Sequence, residues 1–171
     1  YTGLVLYRKE KGQWVFDRKL DGLKESCRIM VKDEDQSIWI SHPYRGVYNV
    51  RWNAGNKDKI DIRFFNQENG LPTNLNNYVF QIAGKAVFAT EKGVFHFDRS
   101  KDTFVPDDDF NRLLDKQHRV RYLREDTKGN VWYVTDHEAG MLIVNDFGLK
   151  KEVRKKVIPE LAGKLVGGFE F

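Results

Sequence analysis

Gly3, Gly46, Gly93 and Gly140 each open a short apolar run, and they stand 43, 47 and 47 residues apart. The runs are Gly3-Leu4-Val5, Gly46-Val47-Tyr48, Gly93-Val94-Phe95 and Gly140-Met141-Leu142. A strand start that recurs on one period demands a structural unit that recurs with it. A period of roughly 40–50 residues containing several short strands is the signature of β-propeller blades.

A second feature repeats ahead of the last three glycines. Glu125–Val134 reads EDTKGNVWYV: an acidic turn containing Asp126, then Gly129, then a strand built around Trp132. Lys32–Ser41, KDEDQSIWIS, is a looser copy in which Asp33 and Trp39 have the spacing of Asp126 and Trp132. The copy at Ala83–Thr90 is reduced to AGKAVFAT, with Phe88 in place of the tryptophan. The β-branched and aromatic neighbours favour strands. Recurrence of a large ring at one place in the unit predicts packing between units, rather than stacking on a ligand, for Trp39 and Trp132.

Turns rich in Asp, Asn, Gly and Pro divide the chain into strands. The first complete unit, 28–65, has strands at Arg28–Lys32, Ile38–Ser41, Val47–Trp52 and Ile60–Phe65. The second, 78–105, has Tyr78–Ile82, Ala86–Thr90, Val94–Asp98 and Thr103–Val105. The third, 118–153, has Val120–Arg124, Val131–Thr135, Met141–Asn145 and Lys150–Val153. Residues 1–20 read as the outer half of a preceding unit, and 164–171 as the first strand of a further one. Phe110–Lys116 and Val157–Leu161 each suit a single helical turn, the latter limited by Pro159. The expected fold is all-β: a β-propeller fragment of four-stranded antiparallel blades, read as a segment of a longer polypeptide.

Composition narrows the function. Hydrophobic residues make up 40% and aromatic residues 13% of the chain, which excludes disorder. The net charge is +4, but bases and acids interleave through every unit, whereas a nucleic-acid footprint would be clustered. No nucleic-acid partner is therefore expected. Cys27 is the only cysteine, so an internal disulfide and a cysteine-rich metal site are both excluded. No cofactor is expected. No apolar run approaches the ~18 residues of a membrane span.

A blade zigzags outward from the axis, so loop order fixes loop position. One face should gather Lys24–Cys27, His42–Arg45, Asn66–Asn77, Glu91 with Lys92, Asp107–Gln117 and Asp136–Glu138. The acidic turns Asp33–Ser37 and Asp126–Asn130 should lie on the opposite face. Loops on a rigid scaffold carry function. His42, Tyr44 and Arg45, with Asp136, His137 and Glu138 in the corresponding loop two units on, supply the planar donors and acceptors that sugar hydroxyls need. The competing reading is a solvated loop tip. Asn74, Asn76 and Asn77 serve equally as ligand amides or as turn-formers. A metal at His137 would require sequence neighbours on an extended loop to converge, which they rarely do. Asp107-Asp108-Asp109 lacks the glycine and distal glutamate of an EF-hand and reads as a solvated acidic turn. Glycosidase chemistry by Asp136 and Glu138 needs a fixed carboxylate separation that the spacing does not establish.

The pattern E-D-x-x-G-x-aliphatic-W, followed by a glycine-initiated strand, resembles the two-component regulator propeller repeat. Asp126, Gly129, Val131, Trp132 and Gly140 carry it best; Asp33, Ile38, Trp39 and Gly46 carry it in the first unit, with Gln36 in place of the family glycine. Phe88 and Gly93 hold the second unit in register by spacing alone. Glu68-Asn69-Gly70-Leu71-Pro72-Thr73-Asn74 is similar to the N-G-L-P-S-N link between blades of such proteins. The resemblance implies a non-catalytic, periplasmic sensor segment of a Bacteroides-type hybrid two-component histidine kinase. It further implies an oligosaccharide ligand, control of polysaccharide-utilisation genes, packing against the rest of the parent propeller, and a homodimeric parent in the inner membrane. The alternatives are a structural or dimerisation propeller without its own ligand, and a propeller lyase or glycosidase.

Overall fold

The computed structural model describes residues 3–53, 56–114, 118–146, 151–164 and 166–169, without the side chains of 56–58, 145, 146, 151 and 152. Strands β1 (Leu4–Glu10) and β2 (Gln13–Leu20) form a hairpin. Strands β3 (Ile29–Lys32), β4 (Ile38–His42), β5 (Gly46–Asn53) and β6 (Asn56–Phe65) form the first four-stranded sheet. The second holds β7 (Tyr78–Ile82), β8 (Lys85–Thr90), β9 (Gly93–Asp98) and β10 (Thr103–Pro106). The third holds β11 (Val120–Glu125), β12 (Val131–Thr135), β13 (Ala139–Asp146) and β14 (Lys151–Val157). Each sheet is an antiparallel meander in chain order, and the first strands β3, β7 and β11 lie side by side. These are propeller-like blades, as the repeat requires.

Strand alternation assigns the faces. In the first sheet Ile40 and Val50 face the hairpin, joined by Leu4 and Leu23, while Trp39, Val47 and Phe65 face the second sheet. The second sheet answers with Val79, Phe88, Phe95 and Phe104. Its other face, carrying Val87, Ala89 and Val94, packs on Leu123, Val131, Tyr133 and Leu142 of the third. The first interface is dense in rings: Trp39 has Phe88, Phe97, Phe65 and Phe104 at centroid distances of 5.1, 5.2, 5.3 and 5.7 Å. Such pairs contribute about 0.5–1.5 kcal/mol each beyond the area they bury. The tryptophan of the repeat is thus the hub of an inter-sheet contact.

The recurring glycine has a steric cause. At Gly46, φ is 120°, and an added Cβ would lie 2.2 Å from the Phe65 carbonyl oxygen. At Gly140 the same atom would meet the Lys156 carbonyl oxygen at 2.4 Å. In both sheets the third strand begins hard against the backbone of the fourth, and no side chain fits.

A short helix, α1 (Asp108–Leu113), follows β10, and Asp107 caps it by accepting from the Phe110 N–H at 3.1 Å. Its Asn111 completes the start of β9: Oδ1 accepts the Val94 N–H and Nδ2 donates to the Val94 carbonyl, both at 2.8 Å. Asp107-Asp108-Asp109 is therefore a helix start, where carboxylates face the amide end. Pro159–Leu161 forms the single turn anticipated near Pro159.

Of the stretch expected to be a further first strand, 166–169 has no strand pairing. Phe169 instead lies on Trp132 at 5.0 Å, with its carbonyl accepting from the Tyr122 hydroxyl at 3.1 Å and Arg124 at 2.9 Å. A strand needs a neighbour's ladder, and side-chain donors occupy that carbonyl here. Lys116, Gln117, Lys150 and Phe171, which belonged to the expected segments, lie outside the described residues.

Candidate functional site

The two sets of loops do different work. On the face of the acidic turns, Asp33 is buried at 6% exposure and its carboxylate collects four donors. Oδ1 accepts the Glu34 and Ala86 amides, each at 2.9 Å. Oδ2 accepts the Trp39 indole N–H at 3.0 Å and the Arg99 guanidinium at 2.6 Å. Ala86 and Arg99 belong to the second sheet, so one carboxylate ties two blades together. Arg99 also reaches Asp35 at 3.2 Å and Glu34 at 3.5 Å. Burial works against ionisation of Asp35, but hydrogen bonds from Ser37 and the guanidinium of Arg99 hold its carboxyl below the usual range.

Asp126 repeats the device within one blade. It accepts the Trp132 indole N–H at 3.1 Å, the Lys128 and Asn130 amides at 2.9 Å, and the Asn130 side chain at 3.0 Å. Burial opposes ionisation here too, yet bonds from Asn130 and Trp132 keep the carboxyl below its ordinary value. The Asp-to-Trp spacing of the repeat is the reach from the turn carboxylate to the indole nitrogen. In the β9–β10 turn that also carries Arg99, Asp102 forms a bidentate pair with Arg63 of the first sheet at 2.9 and 2.7 Å. That bond holds the Asp102 carboxyl below its usual range. These acids are structural clamps.

The opposite face gathers the loops expected to bind. His42 is buried, and its Nδ1 accepts the Tyr44 N–H at 3.1 Å while Nε2 lies 3.6 Å from Glu25. Arg45 bonds the same Glu25 at 2.8 Å. Tyr44 is 71% exposed. The Pro43 carbonyl accepts the Asn76 N–H at 3.1 Å, so the His42–Arg45 loop is docked onto the link before the second sheet. Asn76, at φ 55°, donates to Glu91 at 2.8 Å and accepts from the Tyr78 hydroxyl at 3.2 Å. Asn74 accepts the Gln67 N–H at 3.0 Å, and Asn77 donates to the Thr73 carbonyl at 2.8 Å. The asparagines thus act in their link as turn-formers, and Asn76 alone joins the Tyr44 loop.

The other loop of the expected constellation closes on itself. Asp136 faces Arg121 at 3.8 Å. Glu138 accepts from the Tyr133 hydroxyl at 2.9 Å and pairs with Lys155 at 2.7 Å. His137 stands edge-on to His118, ring centroids 4.7 Å apart. Asp136 and Glu138 each face their own cation. Among the described residues no group of three or more His, Cys, Asp and Glu side chains has a metal-binding arrangement.

A groove that sequence reading missed runs between the second and third sheets. Its volume is about 510 Å³, and Val87, Val131, Leu142 and Val153 line it together with Lys85, Asp107, Asp109, Arg112 and Glu125. This interface mixes aliphatic residues with Phe80, Tyr122 and Tyr133, whereas five rings cluster around one point between the first and second sheets. Among the lining residues, Glu125 accepts the Ala83 N–H at 2.7 Å, which ties the β7–β8 turn to the third sheet. The only sequence signal for the groove was smaller residues at alternate positions of β8, and for the Asp33 clamp an arginine, Arg99, in the β9–β10 turn.

No family model matches the chain, and a search of curated proteins finds no match. No helix among the described residues is long and apolar enough to cross a membrane.

Proposed function

We propose that this chain is a non-catalytic recognition segment: part of the extracytoplasmic sensor of a two-component signalling protein, taking an oligosaccharide on its loop-rich face. The observation that carries the reading is Tyr44. A ring 71% exposed is held on a loop fixed by the His42 and Pro43 bonds, beside the Arg45–Glu25 pair. A sugar ring binds through an apolar face on an aromatic and hydroxyls on planar polar groups, and preorganised side chains lose the least entropy in doing so. The groove between the second and third sheets supports this less well, since the ring that lines it, Phe110, packs against the core cluster of those sheets.

The acids support the same reading. Asp33, Asp35, Asp102 and Asp126 are bonded into the blades, and Asp136 and Glu138 face cations, so these carboxylates serve architecture. Signalling then requires only that ligand bind one arrangement of the parent more tightly than another. Calorimetric titration with a panel of polysaccharide fragments tests the proposal. One fragment should give heat, and Tyr44→Ala should abolish it while leaving the unfolding midpoint unchanged. A panel without heat, or heat that survives Tyr44→Ala, refutes the proposed site; release of cleaved sugar refutes the non-catalytic assignment.

A further inference from the structure

The interface between the first and second sheets is a template for the one between the second and third. Five rings meet in it: Trp39 from β4 and Phe65 from β6, against Phe88 from β8, Phe97 from β9 and Phe104 from β10. The matching places in the second interface follow from the ladders. Phe88 pairs with the second residue after Gly93, and Val131 with the second after Gly140. Phe97 is the fourth residue after its glycine and pairs with Phe104; Val144 is the fourth after Gly140 and pairs with Val153. On the opposing side, Phe65 pairs with Val47, the first residue after Gly46, while Val94, the first after Gly93, accepts the Asp107 N–H at 2.9 Å. Trp39 pairs with the third residue after Gly46, and the β8–β9 register continued one step beyond Phe88 brings Val87 to the same place. Phe88, which holds the tryptophan's place by spacing, packs toward the first sheet instead.

Where the first interface has five rings, the second therefore has Val87, Asp107, Val131, Val144 and Val153, and all five line the groove of about 510 Å³. The groove is the space of a ring cluster without its rings. The polar half of the template recurs as well. Asp33 accepts the Ala86 N–H of the second sheet through Oδ1 and the Trp39 indole N–H through Oδ2. Glu125, which lines the groove, accepts the Ala83 N–H of the second sheet through Oε2, and its Oε1 accepts no hydrogen bond among the described residues. The cations of the groove are already matched: Lys85 lies 3.4 Å from Glu34, and Arg112 3.0 Å from Asp109. Neither is left to select an anion.

We infer that this groove binds a small planar heteroaromatic molecule bearing a ring N–H. The molecule lies between the sheets as the rings of the first interface do, and donates to Glu125 as the Trp39 indole donates to Asp33. Aliphatic walls give a flat ring its contact area, and a single well-placed acceptor fixes its orientation. The site is separate from the Tyr44 loop, which does not line the groove, and it takes a different class of ligand.

Indole, the ring that the second interface lacks, is the probe. Calorimetric titration of wild-type protein with indole should give saturable heat. Titration with 1-methylindole, which keeps the ring and loses the donor, should show binding weaker by roughly tenfold or more. Val144→Phe with Val153→Phe puts back two rings of the first interface and should abolish the indole heat. Val144→Phe alone should weaken indole binding roughly tenfold or more by filling part of the groove, so the location stays testable if the double variant unfolds. A wild-type protein that gives no saturable heat overturns the inference. So does equal binding of indole and 1-methylindole, or indole binding that a folded Val144→Phe protein retains in full.

Discussion

Asp33→Ala removes, in one step, the acceptor for the Trp39 indole, the Ala86 amide and one Arg99 contact. Trp39 is 1% and Ala86 6% exposed, so neither N–H regains water when its partner disappears. An orphaned buried donor costs about 1–3 kcal/mol, so the two together cost about 2–6 kcal/mol. Arg99 adds little, because Asp35 at 3.2 Å still holds it near solvent. Against a total stability of about 5–15 kcal/mol this is a large fraction. The matched control is Asp126→Ala, whose donors lie in its own turn and on the half-buried Trp132, and whose cost should stay near ~1–2 kcal/mol. Urea unfolding followed by far-ultraviolet circular dichroism gives the comparison as a shift in midpoint at constant slope. The indole's share is isolated by repeating Asp33→Ala in a Trp39→Phe background, where the penalty should shrink by about 1 kcal/mol or more. If Asp33→Ala costs no more than Asp126→Ala, or costs the same in both backgrounds, the clamp does not act as described.

Gly46→Ala forces a Cβ to 2.2 Å from the Phe65 carbonyl at a φ of 120°, and should lower the unfolding midpoint by the equivalent of about 3 kcal/mol or more. A Gly46→Ala protein of wild-type stability would contradict the steric account of the repeat glycine. Asp35 and Asp126 are held below the ordinary carboxylate range by hydrogen bonds, and Asp35 also by Arg99. Depressed carboxylates contribute stability that is complete above the unfolded value of ~3.9 and is lost as pH falls through the folded values. The urea midpoint should therefore be insensitive to these groups at neutral pH and fall below about pH 4; a midpoint that rises on acidification refutes the assignment. Phe88→Trp, which restores the tryptophan of the repeat, should destabilise by about 1–3 kcal/mol in the same assay, and an increase in stability would contradict the lack of an acceptor at that position.

That last expectation shows where the sequence was informative and where it stopped. Period and spacing located every strand of the three sheets, because glycines at third-strand starts answer to contacts within one blade, such as Gly46 against Phe65, and rings at second-strand centres recur with the packing of one blade on the next, as at Trp39. The link asparagines read equally as ligand amides or as turn-formers, and the bonds that Asn74 and Asn77 make are local ones. The polar pairings that cross between blades left almost no trace. The second unit looked degenerate, without its acidic turn and tryptophan, yet Asp33 serves its Ala86 amide from one side and Glu125 its Ala83 amide from the other. Asn111 finishing β9 and Arg99 clamping the acidic turn are likewise long-range pairings that no local pattern encodes. Phe88 then has a physical reason. It stands edge-on to Trp39 at 5.1 Å, fully buried, and the turn of its own blade, Ala83-Gly84 between β7 and β8, has no carboxylate to accept an indole N–H. A ring without a donor suits that buried position, so the loss of the tryptophan goes together with the loss of the acidic turn in the same blade.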